Sequence, residues 1–248
     1  MVKLSIIIAV LNSHPVVIRQ IRSWKKMRLP KSVEFILVDD GSDPPLAFEN
    51  SGLRNLRIFY TNDKRPWTQG LARNLGASKA FGEYFLFTDI DHILTREAIM
   101  DALSFEGDKM SFPRFFGYLD KRGNIVSDVE SLLRFGLDPR RLRGKRKLFA
   151  GYHGNTYSIS RRIFEMIGGY NPAYCTQGFH MGGATMSEER KFNLTWNKFV
   201  NRGYATEEAV GSRIYHYPVS KFRADGDNNP FGLFHKLSLE QVPQPLKE

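Results

Sequence analysis

The residues best suited to chemistry stand just after apolar runs. Asp89-Ile90-Asp91 follows the run Glu83 to Thr88. Two carboxylates placed this way can hold a hard divalent cation through oxygen, and the cation can bind a diphosphate. A second acidic pair, Asp39-Asp40, follows Val33 to Val38, and Asn12 follows Leu4 to Leu11. Aspartate is common in turns, so each triplet or pair means little by itself. Three polar strand ends in one chain mean more. A different feature, Arg140 to Lys147, holds six basic residues and no acidic one.

The elements that must position these residues follow from the hydrophobic pattern. Residues 4–10 are β-branched and nearly all apolar, as in a strand buried on both faces of a parallel sheet. Asn12 or Ser13 is expected to cap a helix over 16–27, where Val17, Ile21 and Trp24 recur at helical spacing before Pro30. Strands are predicted over 33–38, 56–60 and 83–88, with a helix over 69–80. This alternation predicts an α/β fold with a mostly parallel, doubly wound sheet. Ligands of such sheets bind beyond the carboxyl ends of the strands. Asn12, Asp39-Asp40 and Asp89/Asp91 are therefore expected to converge on one crevice.

The second half is less regular. Its pattern predicts a turn at 119–124, a short helix over 127–136 and a strand pair over 148–159. Helices over 161–167 and 188–202 and a strand over 213–217 complete it. Trp67, Trp196 and the phenylalanines between 112 and 116 read as core. The chain beyond Pro218 is polar and rich in turn residues.

Composition bounds the possibilities. The chain has 248 residues, 42% of them hydrophobic and 25% charged, which excludes a disordered or low-complexity protein. The single cysteine, Cys175, excludes an intrachain disulfide framework and a cysteine-based zinc site. Thirty-six basic against 26 acidic residues give a net charge of +10. That charge favours polyanionic partners: nucleic acid, an anionic membrane face or phosphorylated substrates. No apolar run reaches the roughly 18–20 residues of a membrane span, and no signal peptide is recognisable. A cytoplasmic protein is the expectation.

The motifs, taken together, resemble glycosyltransferases of the GT-A fold, family 2. The carriers are Ser5 to Asn12, Phe35 to Ser42, Gly70 to Gly76, Ala80 to Tyr84 and Phe87 to Asp91, in the family's order. Ala9 stands where the family usually has proline. The resemblance implies a GT-A, Rossmann-like fold over 1–218. Residues 1–100 would be the nucleotide-sugar half, 101–218 the acceptor half, and 219–248 a C-terminal extension. It implies that Asp39 hydrogen-bonds the nucleotide base and that Asp40 and Ser42 shape that pocket. The backbone from Ala9 through Val10 to Asn12 would line it. Arg73 would lie near the diphosphate or the metal-binding carboxylates. Asp89 would face ribose or metal, and Asp91 would be the principal ligand of Mn²⁺ or Mg²⁺.

Later segments carry further implications. Gly151 to Asn155 and Gly168-Gly169-Tyr170 resemble the family's acceptor side, which puts His153, Asn155, Gly169 and Tyr170 there. His216, between two tyrosines, resembles a late histidine that completes the metal site in some GT-A enzymes. His92 and His153 are less suited to that role. Ser187-Glu188-Glu189-Arg190 stands where the family has a Glu-Asp pair that supplies the general base. Glu189 is preferred over Glu188, although acidic residues also suit any helix start. The basic run, with Arg141, Arg143 and Lys145, has no family role; its place in the chain lets it border the acceptor groove.

The expected activity is metal-dependent, inverting transfer of a sugar from a nucleotide sugar, most simply a UDP-sugar, to a hydroxyl. Family habit favours a surface polysaccharide or lipid-linked glycan as acceptor, with peripheral contact to an anionic membrane. The charge equally favours hydroxymethylated DNA bases, reached through residues 140–147. Two other classes compete. A sugar nucleotidyltransferase would want a Gly-rich, Arg-containing loop where Asn12 to Pro15 stands. A noncatalytic nucleic-acid-binding module would not explain the acidic strand ends.

Overall fold

The computed structural model describes residues 1–218 except 49–50, 64, 66–67, 136, 138, 143–147 and 175–187. Trp67, Arg143, Lys145, Cys175, Ser187 and the expected extension 219–248 lie outside the described residues.

The first half runs β1 (Leu4–Val10), α1 (His14–Met27), β2 (Val33–Asp39), β3 (Leu56–Tyr60), α2 (Gln69–Lys79) and β4 (Tyr84–Asp89). It continues with β5 (His92–Leu94) and α3 (Arg96–Ser104). The second half contains β6 (Lys109–Ser111), β7 (Arg114–Phe116), β8 (Tyr118–Leu119), β9 (Ile125–Val126) and α4 (Val129–Arg134). Then follow β10 (Phe149–Gly151), β11 (Tyr157–Ser160), α5 (Arg161–Ile167), α6 (Glu188–Asn201), β12 (Glu207–Ala209) and β13 (Ile214–His216).

The main sheet has the order β12-β6-β11-β4-β1-β2-β3. The pairs β1/β2, β1/β4 and β2/β3 are parallel, and β11 joins antiparallel between β4 and β6. Every residue of β1 and β2 is buried, as the nearly continuous apolar runs imply. The pleat sends Ile6, Ile8 and Val10 to one cluster with Val17, Ile21 and Trp24 of α1 and Ile99 of α3. Ile7 and Ala9 face the other, with Ala72 of α2, Ile163 of α5 and Trp196 of α6. Each such aliphatic contributes about 1.5–3 kcal/mol by leaving water. Register then aligns the strand ends: Val10 pairs with Asp39, and Ala9 pairs with Asp89. The three polar ends therefore do lie side by side.

A second sheet, β10-β7-β13-β5, stands beside the end of β4. It sets His216 directly opposite His92 in antiparallel register. Two local expectations are corrected here. The strands around Gly151 to Asn155 do not pair with each other: β10 joins β7, whereas β11 completes the main sheet. The side chain of Ser13 does not cap α1; its hydroxyl donates to the Leu11 carbonyl at 2.9 Å. Trp196 and Phe112 are core, as expected.

Candidate active site

Asp89 ends β4 and accepts three hydrogen bonds. Its Oδ1 takes Gln69 Nε2 at 2.7 Å and the Arg73 guanidinium, and its Oδ2 takes Asn155 Nδ2 at 3.2 Å. Gln69 and Arg73 lie one helical turn apart on α2, so both reach the same carboxylate. Arg73 is only 1% exposed. Burial works against its charge, but Tyr170, Asp89, Tyr157 and Glu189 outweigh it, and the pKa rises above the ordinary arginine value. Arg73 also donates to Asn155 Oδ1 and to the Tyr170 hydroxyl, both at 3.1 Å. The Tyr170 and Tyr157 hydroxyls meet at 2.8 Å.

Asn74 fastens Tyr170. Its Oδ1 accepts the Tyr170 N–H at 2.9 Å, and its Nδ2 donates to the Tyr170 carbonyl at 2.7 Å. Gly169, at φ +63°, allows this approach: a Cβ there would stand 2.7 Å from Asn74 Oδ1. The Gly-Gly-aromatic motif is thus the means by which the second half locks onto α2.

Asp91 is 6% exposed, and its Oδ2 lies 3.2 Å from His216 Nε2. The other His216 nitrogen, Nδ1, is buried with no hydrogen-bond partner among the described residues. His92 stands behind, its ring centroid 5.1 Å from both His153 and His216. Arg114 donates to His92 Nε2 at 3.0 Å, which leaves the proton on Nδ1, facing the Thr156 hydroxyl. Burial lowers the His92 pKa to about 3 against the pull of Asp91 and Asp89, so the ring is neutral. His153 Nδ1 lies 3.9 Å from Asp89 Oδ2.

Donor atoms of Asp91, His92 and His216 fall within 4.8 Å of one another, as do those of Asp89, His92 and His153. Carboxylate oxygen with imidazole nitrogen suits Mn²⁺ better than Mg²⁺. Asp91 and His216 fit best, because both His92 nitrogens already have partners and three donors hold Asp89.

The neighbouring loop is stitched to the end of β1. Asn12, at φ +47°, donates its N–H to Ser42 Oγ at 2.9 Å and accepts the Asp43 N–H at 2.7 Å. Asp39 is 2% exposed, and its two oxygens accept the N–H groups of Ser42 and Leu46 at 2.7 and 2.8 Å. The structure therefore gives Asp39 a duty within the chain, shaping the 40–46 loop. Asp40 Oδ1 accepts the hydroxyls of Thr68 and Thr61 at 2.7 and 3.1 Å. Ala9 and Val10 are buried, and the Val10 carbonyl accepts the Asp40 N–H at 2.8 Å.

Glu188 and Glu189 open α6, with Glu188 buried and Glu189 partly exposed. A Cβ on Gly154 would stand 2.9 Å from Glu189 Oε1 and 2.5 Å from Asn193 Nδ2. Glu189 thus abuts the loop that carries His153 and Asn155. Arg141 falls in the short 3-10 helix Pro139–Leu142.

Sequence reasoning missed Gln69, Asn74, Arg114, Thr156 and Asn193. Gln69 and Asn74 could have been found from their spacing around Arg73 on one helix. The others have no local signal, because their partners lie far away in sequence.

Geometry and sequence relationships agree. The profile of "Glycosyl transferase family 2" matches residues 5–168. The chain belongs to this family. A curated relative is the poly(ribitol-phosphate) beta-N-acetylglucosaminyltransferase TarS of Staphylococcus aureus (strain Mu50 / ATCC 700699). It is 32% identical over 111 residues, covering 42% of this chain and 19% of TarS. An uncharacterized glycosyltransferase of Rickettsia felis is 28% identical over 134 residues, 52% of this chain and 22% of that protein. The matched region therefore spans less than a quarter of either relative. Among solved structures, TarS 1–349 in complex with UDP-GlcNAc superposes with a TM-score of 0.56 at 17% identity, covering 92% of this chain and 64% of that one. The mannosyltransferase PcManGT from Pyrobaculum calidifontis, in complex with GDP-Man and Mn²⁺, gives 0.55 at 15%, covering 88% and 58%. These likenesses establish the GT-A fold. No helix among the described residues is long and apolar enough to cross a membrane.

Proposed function

We propose that this family 2 domain transfers a sugar from a nucleotide sugar to a hydroxyl acceptor with inversion, and that it depends on Mn²⁺ or Mg²⁺. The observation that carries the reading is the Asp91–His216 pair at 3.2 Å, beside the Asp89–Arg73 network, whose Asn155 sits on the loop that Glu189 abuts. The nucleotide would lie over the ends of β1 and β2, on the loop that Asp39 holds and Asp40 and Ser42 line. Arg73 keeps Asp89 oriented for ribose. Asp91 and His216 would hold the cation, which when bound offsets charge on the departing diphosphate. Glu189 would take the proton of the acceptor hydroxyl. The acceptor oxygen then bonds to the anomeric carbon as the bond from that carbon to the diphosphate oxygen breaks, releasing the nucleoside diphosphate. His153 and Asn155, between Asp89 and Glu189, would border the acceptor.

A UDP-sugar is the preferred donor, supported by the TarS complex with UDP-GlcNAc. The net charge of +10 supports a polyanionic acceptor, and a polyol-phosphate or other anionic glycan is preferred because TarS is named for such a substrate. The test is nucleotide release from UDP- and GDP-sugars with Mn²⁺ or EDTA. Its acceptor arms are a polyol-phosphate polymer, a lipid-linked glycan on anionic vesicles and duplex DNA with hydroxymethylated bases. Metal-dependent release stimulated by the polymer is expected. Stimulation by modified DNA alone would replace the acceptor. No release or transfer with any donor would overturn the reading.

A further inference from the structure

Gln20 is a buried amide on the apolar face of α1, 1% exposed among Val16, Val17, Ile21 and Trp24. Nothing in the donor, base or acceptor roles uses it. Its Nε2 donates to the Ile90 carbonyl at 3.2 Å and the His92 carbonyl at 2.8 Å. Those carbonyls flank Asp91. The third carbonyl of the turn, that of Asp91, accepts the N–H of Tyr217 at 3.3 Å. All three carbonyls from 90 to 92 are thus held, two by one side chain from α1 and one by the residue after His216.

We infer that Gln20 is a positioning residue for the cation site, a proposal that rests on the metal reading above. Both N–H groups of one amide are spent on the turn, while Gln20 Oε1 is buried with no hydrogen-bond partner among the described residues. A buried acceptor left unpaired is costly, and an aliphatic side chain would avoid that cost at this position. The gain lies in the turn: with its carbonyls drawn toward α1, the Asp91 side chain stays opposite His216. The Tyr217 bond does the same for the histidine strand. A glutamine suits this task because it supplies two donors without a charge behind the cation. Hydrogen bonds that orient a metal's ligands typically cost about 10–100-fold in metal affinity when removed; those of Gln20 act on the residues either side of Asp91.

The test is Mn²⁺ binding by calorimetry in the presence of UDP, on the full chain, with no turnover needed. Gln20→Met keeps the length and removes both donors; its Mn²⁺ dissociation constant should rise about tenfold or more, with UDP affinity in EDTA unchanged. Val17→Ala, a buried change on the same helix, should lower the melting temperature and leave Mn²⁺ affinity alone. Should Gln20→Met fail to fold, Gln20→His retains one ring donor and should weaken Mn²⁺ by a smaller factor. Unchanged Mn²⁺ affinity in a folded Gln20 variant, or an equal loss in Val17→Ala, would overturn the inference while Asp91→Ala still reports on the metal reading. Absence of Mn²⁺ binding in the unaltered protein would overturn both.

Discussion

The two halves of the molecule solve different problems. In the first, β1 and β2 are seven residues each and entirely buried, and the parallel register of β1 with β2 and β4 brings the strand ends at Asn12, Asp39 and Asp89 side by side. In the second, β6, β7, β10, β12 and β13 have three residues each, and β8 and β9 have two. Such strands bury little, so side chains do the fastening: Asn74 on the Tyr170 backbone, Arg73 on Asn155, and Arg161 on the Ala80 and Gly82 carbonyls at 2.8–3.0 Å. A stack of Tyr157, Phe192 and Tyr170, with centroids 4.7–5.6 Å apart between successive rings, supports them. The side proposed for the donor is positioned by the sheet, and the side proposed for the acceptor is held to it by these polar contacts together with the apolar cluster of Ile163, Phe192 and Trp196.

The sharpest way to break this division is at the proposed base. Glu189→Gln should cut transfer by about 10²–10⁴-fold while leaving nucleotide-sugar affinity intact, as read by titration calorimetry; undiminished turnover removes Glu189 from the mechanism. On the donor side, Asp91→Ala should lower turnover by about 10²–10³-fold and abolish the effect of Mn²⁺ on UDP affinity. Equal UDP binding with and without Mn²⁺ in the unaltered protein would sink that assignment.

The joint between the halves should show itself in stability. Arg73→Leu leaves Asp89 and the buried Asn155–Tyr170 cluster without their cation, and breaking a buried pair costs about 3–5 kcal/mol. Chemical denaturation should register that loss; a change under 1 kcal/mol, as for exposed pairs, would mean the halves do not lean on Arg73. The smallest effect is expected at Gly154. Gly154→Ala must push Glu189 and Asn193 aside, an overpacking of about 1–3 kcal/mol, so kcat should fall about tenfold or less with the donor KM unchanged. A raised donor KM instead would place the 153–155 loop on the donor side.

Much of this was legible beforehand. Largely apolar runs, β-branched in β1 and aromatic in β4, marked β1, β2 and β4; the two polar residues within β1 and β2, Ser5 and Glu34, satisfy each other at 2.6 Å. The polar residue after each run marked the crevice. The helix expected over 188–202 was plain from the spacing of Phe192, Trp196 and Phe199 and runs from Glu188 to Asn201, and the one expected over 161–167 forms with those bounds. The second sheet was not. Strands of three residues carry too little periodicity to reveal their partners, which is why 148–159 reads as a hairpin and instead divides between two sheets.

The proposed cation site divides the same way. Its proposed carboxylate, Asp91, was marked in the sequence by the second acidic strand end and the order of the motifs, since aspartate by itself is common in turns. That His216 stands opposite His92, that Arg114 and Thr156 take both nitrogens of His92, and that Gln20 lies behind Asp91 are matters of tertiary structure. Each is a contact between residues 22 to 124 positions apart. Local sequence determines which segments bury themselves and where they end. Which polar groups then meet depends on long-range register and packing, and no single segment encodes that.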